Sequence, residues 1–466
     1  MIAMVAATAC VPPAQAAWSG EYVVAWGAVG NATGLGVWAG PDGRVAVTWT
    51  LAGQGPPSIW VREYVPTDGW HNAEKIREST NVVPRVWAGA FGKGGTLWLA
   101  FDGPDGLATL QGGSYLPGEG LETVTVLGLP GAEAAEEAQM ASNAAGRVAV
   151  AWRADGRLFQ ADLWETGWGN TNSLAKGNGT VTGFSWAMDE WGRQWAVWTA
   201  VGPEGSAVWQ RIGDLEGTWF GGPYLVSSAG GSATETAVAI ATNESTNPAV
   251  TWVEHSNGTA GMRLMTNPPT GRSAGSEPQE IASAREIQGL RSAWAAGGSA
   301  VVVWAQSEGG GFITCWSKRG ASGNWSAPAA LHEGAGASFD AQAQAGTKGS
   351  VWATWTANGP QGPAIWARQF EGSWRPGELV VEGTNFDSSS ARLAVDGRGA
   401  AWVGWREGSE SGWQLVVRAS GLPQGENVAR VAETAPEGGG LGAFVVPAAT
   451  AVAAVVAVAW VTRRER

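Results

Sequence analysis

The chain has 466 residues and a formal net charge of −12, with 44% hydrophobic and only 15% charged residues. The acidic balance argues against a nucleic-acid-binding protein, because such proteins need clustered lysine and arginine. The hydrophobic fraction supports a large core, and 70 glycines with 30 tryptophans are typical of many short strands joined by tight turns.

The N-terminal segment predicts export. Residues 1–16 are apolar and end in Ala14-Gln15-Ala16, which fits the A-x-A pattern of a signal-peptide cleavage site. A lipid-modified Cys10 is the alternative interpretation of this segment. Once residues 1–16 are removed, Cys315 is the one cysteine left, so we expect no intrachain disulfide and predict a buried strand cysteine.

An aromatic residue that closes a short β-patterned run recurs every 50 residues or so along the chain. We call these residues the anchor aromatics: Trp49, Phe101, Trp152, Trp198, Trp252, Trp304, Trp355 and Trp405. Each repeat contains enough alternating runs and glycine-rich turns for about four strands, which is the size of a propeller blade. The sequence therefore predicts an all-β fold over residues 17–435, a β-propeller of eight four-stranded blades, with seven blades as the alternative.

Two segments do not follow the repeat in a simple way. Trp18 to Trp26 precedes the first full unit and is similar to an outer strand, so we expect it to complete the last blade and close the ring. A strand near Asn427 to Val431 is the alternative fourth strand of that blade. Ala132 to Met140 has helix-forming composition, and we interpret it as a blade connection with at most one helical turn.

The C-terminal part predicts a membrane anchor. Residues 436–440 form a glycine-rich spacer, and residues 441–461 are uncharged and long enough to cross a bilayer core of about 30 Å as a transmembrane helix. Residues 462–466 form a basic tail, which the positive-inside rule assigns to the cytoplasm. We therefore expect an exported, single-pass protein of the cell surface with a cytoplasmic C-terminus. A sorting signal cleaved by an archaeosortase- or exosortase-type enzyme is the alternative.

Several turns between the predicted third and fourth strands keep a glycine and a tryptophan in a degraded form of the pattern S-x-D-x-G-x-[ST]-W. These turns are Asp68-Gly69-Trp70, Thr166-Gly167-Trp168, Gly217-Thr218-Trp219, Ser322-Gly323-Asn324-Trp325 and Gly372-Ser373-Trp374. The chain thereby resembles the sialidase-like (BNR/Asp-box) propeller repeat proteins of the cell surface. The resemblance implies the propeller fold. It does not imply hydrolysis, because the chain has only four tyrosines and no F/Y-R-I-P motif of the kind that sialidases carry.

No catalytic or metal-binding motif is present in the sequence. The three histidines lie far apart, and HExxH, CxxC, G-x-S-x-G and P-loop patterns are all missing. The sequence therefore implies neither a resident metal site nor a cofactor, with Ca²⁺ as the one ion to consider. Whether the protein is an enzyme stays open, and the residues favour a non-catalytic protein.

A ligand is expected on one face of the ring, where the loops that follow the anchor aromatics collect. These loops form a predicted acidic rim that would bind a cation or sugar hydroxyls, and ordinary solvated turns are the alternative explanation. Trp191 lies outside the main aromatic phase and is added as an exposed candidate, as is Trp195. The candidate ligand-binding residues are Asp105, Asp155, Trp191, Glu204, Glu254, His255, Glu308, Gln361 and Glu407.

These observations favour a surface-anchored, monomeric recognition or adhesion module that binds an extracellular glycan or an envelope protein. Two alternatives stay open. One is a divergent sialidase-like glycoside hydrolase or lyase, which would need a pocket with two suitably spaced carboxylates. The other is a structural component associated with a surface layer.

Overall fold

The computed structural model describes residues 18–421 apart from short gaps. The gaps are residues 28–30, 54, 81, 104–108, 128–133, 144, 166, 176–178, 215–217, 228–230, 240–247, 257, 267–276, 296–298, 321–323, 333–336, 347–348, 360, 384–385 and 410–411. Within the described residues the fold is all-β, with a single 3-10 turn at Lys93–Gly95 as the one helical element. No helix in these described ranges is long and apolar enough to span a membrane. The predicted segments 1–16, 436–440, 441–461 and 462–466 lie outside them.

The strands form eight separate sheets, which are the blades of a propeller. The first strand of the chain, β1 (Tyr22–Gly27), belongs to the last blade. In blade 1 and in blade 3, two short strands share the outermost position. Blade 1 contains β2 (Asn31–Ala39), β3 (Val45–Gly53), β4 (Gly55–Val65), β5 (Gly69–Trp70) and β6 (Glu74–Glu78). Blade 2 contains β7 (Val86–Phe91), β8 (Leu97–Asp102), β9 (Leu110–Leu116) and β10 (Gly120–Val126). Blade 3 contains β11 (Glu137–Ser142), β12 (Val148–Ala154), β13 (Arg157–Trp164), β14 (Gly167–Trp168) and β15 (Asn172–Ser173).

The remaining blades follow the same up-and-down order. Blade 4 contains β16 (Thr180–Met188), β17 (Gln194–Gly202), β18 (Gly205–Gly213) and β19 (Trp219–Leu225). Blade 5 contains β20 (Ala233–Ala239), β21 (Ala249–Ser256), β22 (Thr259–Thr266) and β23 (Gln279–Ala284). Blade 6 contains β24 (Ile287–Ala295), β25 (Ser299–Glu308), β26 (Gly311–Lys318) and β27 (Ala329–Ala330). Blade 7 contains β28 (Ser338–Ala345), β29 (Val351–Gly359), β30 (Gly362–Phe370) and β31 (Glu378–Glu382), and blade 8 contains β32 (Phe386–Val395), β33 (Ala401–Ser409) and β34 (Gly412–Ala419).

The N-terminal strand closes the ring. β1 pairs antiparallel with β34, with Tyr22 opposite Val417 and Trp26 opposite Gln414, and it supplies the fourth strand of blade 8. The backbone N–H of Ser19 extends this pairing by donating to the carbonyl of Ala419 at 2.8 Å. The prediction of eight blades is therefore confirmed and the alternative of seven is wrong. The closure by the segment Trp18 to Trp26 is also confirmed, while Asn427 to Val431 lies outside the described residues.

The anchor aromatics are core residues on the second strand of each blade. The seven tryptophans among them are at most 3% exposed, and Phe101 is fully buried. The tryptophans of the later turns pack against the preceding blade: Trp70 lies 6.2 Å from Trp402, and Trp374 lies 5.8 Å from Trp316, between ring centroids. Large flat side chains thus fill the wedge between splayed sheets, and the 50-residue period reflects this packing.

Two local predictions are wrong. The segment Ala132 to Met140 contributes no helical turn over its described part, because Glu137–Ser142 is the innermost strand of blade 3 and pairs with β12 in regular register. Tertiary pairing at the repeat position outweighs the helix propensity of alanine, glutamate and methionine. Trp195 is not exposed, since only 4% of its surface is accessible and it packs in the core between blades 4 and 5. Cys315, by contrast, is buried as predicted.

The first strand of each blade is the innermost, so the loops separate into two faces. We call the upper face the one that carries the loops between second and third strands and the connections from blade to blade. The lower face carries the loops between first and second strands and between third and fourth strands. The candidate residues on second-to-third-strand loops therefore lie on the upper face.

Candidate upper-face funnel

Polar side chains connect the innermost strands of neighbouring blades. The side-chain amide of Gln139 donates to the carbonyl of Phe184 at 2.9 Å and accepts from the N–H of Trp186 at 3.0 Å. Gln342 repeats this arrangement in blade 7 with Ala391 and Leu393 at 2.6 and 3.0 Å. The inner edge of each sheet has backbone groups that no further strand can pair, and these side chains satisfy them. The strands around the axis are thereby held in fixed positions.

The same innermost strands of blades 3 to 6 enclose a cavity of about 880 Å³, which we call the channel cavity. Its wall combines carboxyl, amide, hydroxyl and guanidinium groups. The polar side chains that line it include Glu137, Gln139, Thr182, Ser185, Thr234, Glu235 and Arg291. Ser185 accepts a hydrogen bond from the N–H of Val238 at 3.1 Å, and Glu235 accepts one from the N–H of Leu290 at 2.9 Å, so part of this lining also supports the scaffold.

The carboxyl of Glu137 lines the channel cavity and has a shifted pKa. Burial raises the pKa of its carboxyl above the usual range, while the side-chain amide of Gln139 and the charges of Arg153 and Arg291 act in the opposite direction. The Gln139 amide donates to Glu137 Oε1 at 3.1 Å, and Arg153 Nε lies 3.8 Å from Oε2. A carboxyl that holds its proton more tightly than usual inside a cavity is suited to donate it.

A second cavity, of about 510 Å³, lies at the upper end of blade 5, and we call it the blade 5 cleft. Glu254 and His255 line it at the end of β21, together with Arg263 of β22 and Glu280 of β23. Arg263 lies 3.4 Å from Glu254 and 3.0 Å from Glu280, measured from its Nε and its terminal nitrogen to the carboxylate oxygens. Cross-strand pairing places these side chains on one face of the sheet, because Glu254 lies opposite Gly261 and Arg263 opposite Glu280.

The two cavities adjoin at the start of β20. Ser232 lines the blade 5 cleft, while Thr234 lines the channel cavity and lies 3.2 Å from the Nε2 atom of His255, measured from its hydroxyl oxygen. The hydroxyl of Ser232 donates to the carbonyl of His255. We call the channel cavity and the blade 5 cleft together the upper-face funnel. It is concave and polar, and it is built on strands rather than on long loops.

The predicted ligand-binding residues are spread around the upper face, and the funnel collects two of them, Glu254 and His255. Asp155, Glu204, Glu308 and Gln361 lie in or beside the upper-face turns of blades 3, 4, 6 and 7 and line neither cavity. Their acidic rim stays a prediction.

The other candidates lie elsewhere. Glu407 accepts a hydrogen bond from the indole N–H of Trp405 at 2.9 Å and another from the amide of Gln414. It therefore stabilises blade 8. Trp191 lies in the turn between β16 and β17, on the lower face. Asp105 lies outside the described residues.

Sequence reasoning missed the residues that dominate the funnel wall. Gln139, Glu235 and Arg291 lie on innermost strands, whereas the sequence predicts ligand-binding residues on the upper-face loops. The register offered a signal, because Gln139, Arg291 and Gln342 each lie opposite the residue that precedes the anchor aromatic of their blade. Glu137 and Gln139 were also hidden by the interpretation of their segment as a connection.

The funnel does not fit a metal ion. Within the ranges that the structure describes, no three histidine, cysteine, aspartate or glutamate side chains come together as metal ligands. In the blade 5 cleft, both glutamates direct an oxygen to Arg263, so the guanidinium takes the place that a cation would occupy.

Comparison with known proteins yields similarity of fold alone. No family model matches the chain, and no curated protein matches it in sequence. Solved structures that match include a protein of unknown function from Dyadobacter fermentans, at 12% identity over 87% of this chain and 99% of that chain, with a TM-score of 0.44. A polysaccharide lyase, an ulvan lyase, matches at 11% identity over 84% of this chain and 95% of that chain (TM-score 0.42). Puromycin hydrolase matches at 16% identity over 84% and 62% of the two chains (TM-score 0.43).

At such identities and TM-scores, the activities of these proteins are not transferred to this chain. The membership in the sialidase-like (BNR/Asp-box) repeat proteins that the sequence suggests also stays a prediction.

Proposed function

We propose that this protein is a non-catalytic recognition module that binds a glycan in the upper-face funnel. The supporting observation is the pair of adjoining cavities, about 880 and 510 Å³, lined by hydroxyl, amide, carboxylate, guanidinium and imidazole groups. Sugars present many hydroxyls that both donate and accept hydrogen bonds, and a wall with both kinds of group is complementary to them.

The shape and chemistry of the funnel favour a glycan over an envelope protein. The centres of protein interfaces are depleted in charged side chains and enriched in aromatic ones. The channel cavity instead has Glu137, Glu235 and Arg291 in its wall, and its aromatic residues Phe184 and Trp186 are buried. A concave and charged wall suits an extended hydrophilic ligand.

We also propose that the propeller is displayed as a monomer outside the cell. The apolar residues 1–16 with their A-x-A pattern support export, and the uncharged stretch 441–461 followed by arginines supports an anchor. Display on a surface would direct the funnel to extracellular polysaccharides.

The experiment is a glycan-array screen of the full chain, followed by affinity measurements on Thr234→Val and Arg291→Ala. Both side chains line the channel cavity, and neither substitution adds a bulky group. We expect each variant to bind the selected glycan at least tenfold more weakly, which corresponds to about 1.4 kcal/mol. The matched control is Glu119→Gln, in an exposed lower-face turn outside both cavities, which should bind as the wild type does. A chain that binds no glycan, or variants that bind unchanged, would overturn the proposal.

Glycan cleavage is the second candidate function, and Glu137 is the observation that favours it. Its raised pKa, inside the channel cavity, is the property expected of a general acid. Hydrolysis would also need a second carboxylate about 5–10 Å away. Incubation of the bound glycan with the chain, followed by assay of new reducing ends and unsaturated products, distinguishes the two functions. Product release that Glu137→Gln abolishes would establish an enzyme, whereas glycan that stays intact would support recognition.

A further inference from the structure

Two tryptophans on the lower face are exposed although their positions are fixed. Trp164 ends β13 of blade 3 and is 43% exposed, and Trp191, in the first turn of blade 4, is 39% exposed. Both values contrast with the buried anchor aromatics. An indole that is held rigidly at the surface presents a large apolar area to solvent, which is a common property of binding sites.

The turn that carries Trp191 is fixed by a buried aspartate. Asp189 is 1% exposed, and its carboxylate accepts hydrogen bonds from the backbone N–H groups of Trp191 and Arg193 at 3.1 and 2.8 Å. Arg193 Nε donates to the other oxygen of Asp189 at 2.6 Å. This ion pair holds the guanidinium 5.0 Å from the ring centroid of Trp191 and 5.4 Å from that of Trp195. Arg193 therefore supports Trp191 from the protein side.

Trp164 is supported in the same way by an arginine of its own blade. The guanidinium carbon of Arg147 lies 5.2 Å from the ring centroid of Trp164, and Arg147 pairs with the buried Asp162 at 3.5 Å. A Cβ atom added to Gly192 would lie 2.9 Å from the Cδ atom of Arg147, so this arginine also packs against the turn of Trp191. Arg147 therefore contacts both the ring of Trp164 and the turn that carries Trp191, at the junction of blades 3 and 4.

The positive charges of the two arginines are compensated within the protein. Arg193 is neutralised by Asp189, and Arg147 by Asp162, and both aspartates are buried beneath their arginines. Neither guanidinium is left to attract an anion. A negatively charged membrane or polyanion would gain little here, because such ligands need uncompensated basic charge. An uncharged partner with an apolar face fits this chemistry better.

We propose that Trp164 and Trp191 form a second carbohydrate-binding site, which takes the uncharged sugar rings of a neutral polysaccharide. One side of a pyranose ring exposes C–H groups that stack on an indole, while its hydroxyls remain in water, and a supported tryptophan offers such a platform. The site lies on the face opposite to the funnel, so it does not depend on the function proposed for the funnel. Binding at both faces would let one propeller bridge two polysaccharide chains.

The test is affinity gel electrophoresis of the full chain in gels that contain mannan, a β-glucan or a galactan. We expect at least one of these neutral polysaccharides to retard the wild type. Trp164→Ala and Trp191→Ala should each weaken this retardation at least tenfold, and Trp191→Phe, which retains a ring, should restore most of it. The matched control is Trp26→Ala, because Trp26 is 52% exposed on the outer strand of blade 8. A loss of retardation in Trp164→Ala and Trp191→Ala assigns the binding to the lower face, because neither residue lines the funnel.

Three results would overturn the proposal. The first is that no neutral polysaccharide retards the chain, and the second is that both alanine variants are retarded as the wild type is. The third is that Trp164→Ala and Trp191→Ala lower the co-sedimentation of the chain with vesicles of phosphatidylcholine and phosphatidylglycerol but leave its polysaccharide binding unchanged. That third result would assign the lower face to a membrane surface instead.

Discussion

A buried carboxyl in blade 1 predicts how the stability of the propeller depends on pH. Glu63 lies on β4 with its side chain fully buried, and its ion-pair partner Arg44 lies 3.3 Å away. Burial raises the pKa of Glu63 from 4.5 to about 7, although the charge of Arg44 and its hydrogen bond act against that shift. The carboxyl of Glu63 therefore keeps its proton to a higher pH in the folded state than in the unfolded state.

The size of the effect follows from the difference between the two pKa values. Because the folded pKa is above the unfolded one, Glu63 contributes stability that is complete below pH 4.5 and is lost as the pH rises through about 7. A shift from 4.5 to about 7 corresponds to about 3 kcal/mol. The side chain in Glu63→Gln is uncharged at every pH, so the stability of this variant should not fall in the same way as the pH rises.

The assay is urea unfolding of the wild type and Glu63→Gln at pH 5 and pH 9, followed by tryptophan fluorescence. We expect the stability of the variant relative to the wild type to increase by up to about 3 kcal/mol between pH 5 and pH 9. The control is Glu119→Gln at an exposed turn, which should follow the wild type at both pH values. An identical response to pH in the wild type and Glu63→Gln would refute the argument.

Two further predictions concern the packing. A Cβ atom at Gly397 would lie 1.8 Å from the carbonyl oxygen of Pro41 in the neighbouring blade, so Gly397→Ala should lower the free energy of unfolding by at least about 2 kcal/mol, measured by urea unfolding. Gly383→Ala, where a Cβ atom would meet nothing within 4 Å, is the control, and equal stabilities of the two variants would contradict the clash. Burial raises the pKa of Cys315 to about 12, so in a Cys10→Ser background iodoacetamide at pH 8 should label no thiol until urea is added. Rapid labelling of the native chain would show that this strand is open.

The architecture could be predicted because its signal is repeated along the chain. Each anchor aromatic fills an equivalent wedge between blades, so eight copies of one packing requirement appear at one spacing. Closure could be inferred from Trp18 to Trp26, because that segment lacks the inner strands of a blade of its own. The error at Ala132 to Met140 has a physical reason: a single strand with alanine and glutamate has weak β propensity, and only its pairing with β12 determines its structure.

The candidate site was less predictable, because it depends on neighbours from different repeats. Glu254 and His255 were identified from their loop, but Arg263, which pairs with Glu254, reaches the cleft through strand register. The channel cavity is formed by innermost strands of four blades, and periodicity alone does not show which of their faces lines the axis. The support of Trp191 by Asp189 and Arg193 was likewise not apparent before the turn geometry was known.

The central claim is that the first strand of the chain is the last strand of the eighth blade, which closes the ring. A double variant, Trp26→Cys with Gln414→Cys, tests it, because these residues lie directly opposite each other in the pairing of β1 with β34. We predict an intramolecular disulfide, detected as a faster-migrating monomer in non-reducing electrophoresis and confirmed by mass spectrometry. Gly20→Cys with Gln414→Cys, about 20 Å out of register, should form no such bond. Free thiols at positions 26 and 414, or only intermolecular dimers, would contradict closure of the ring.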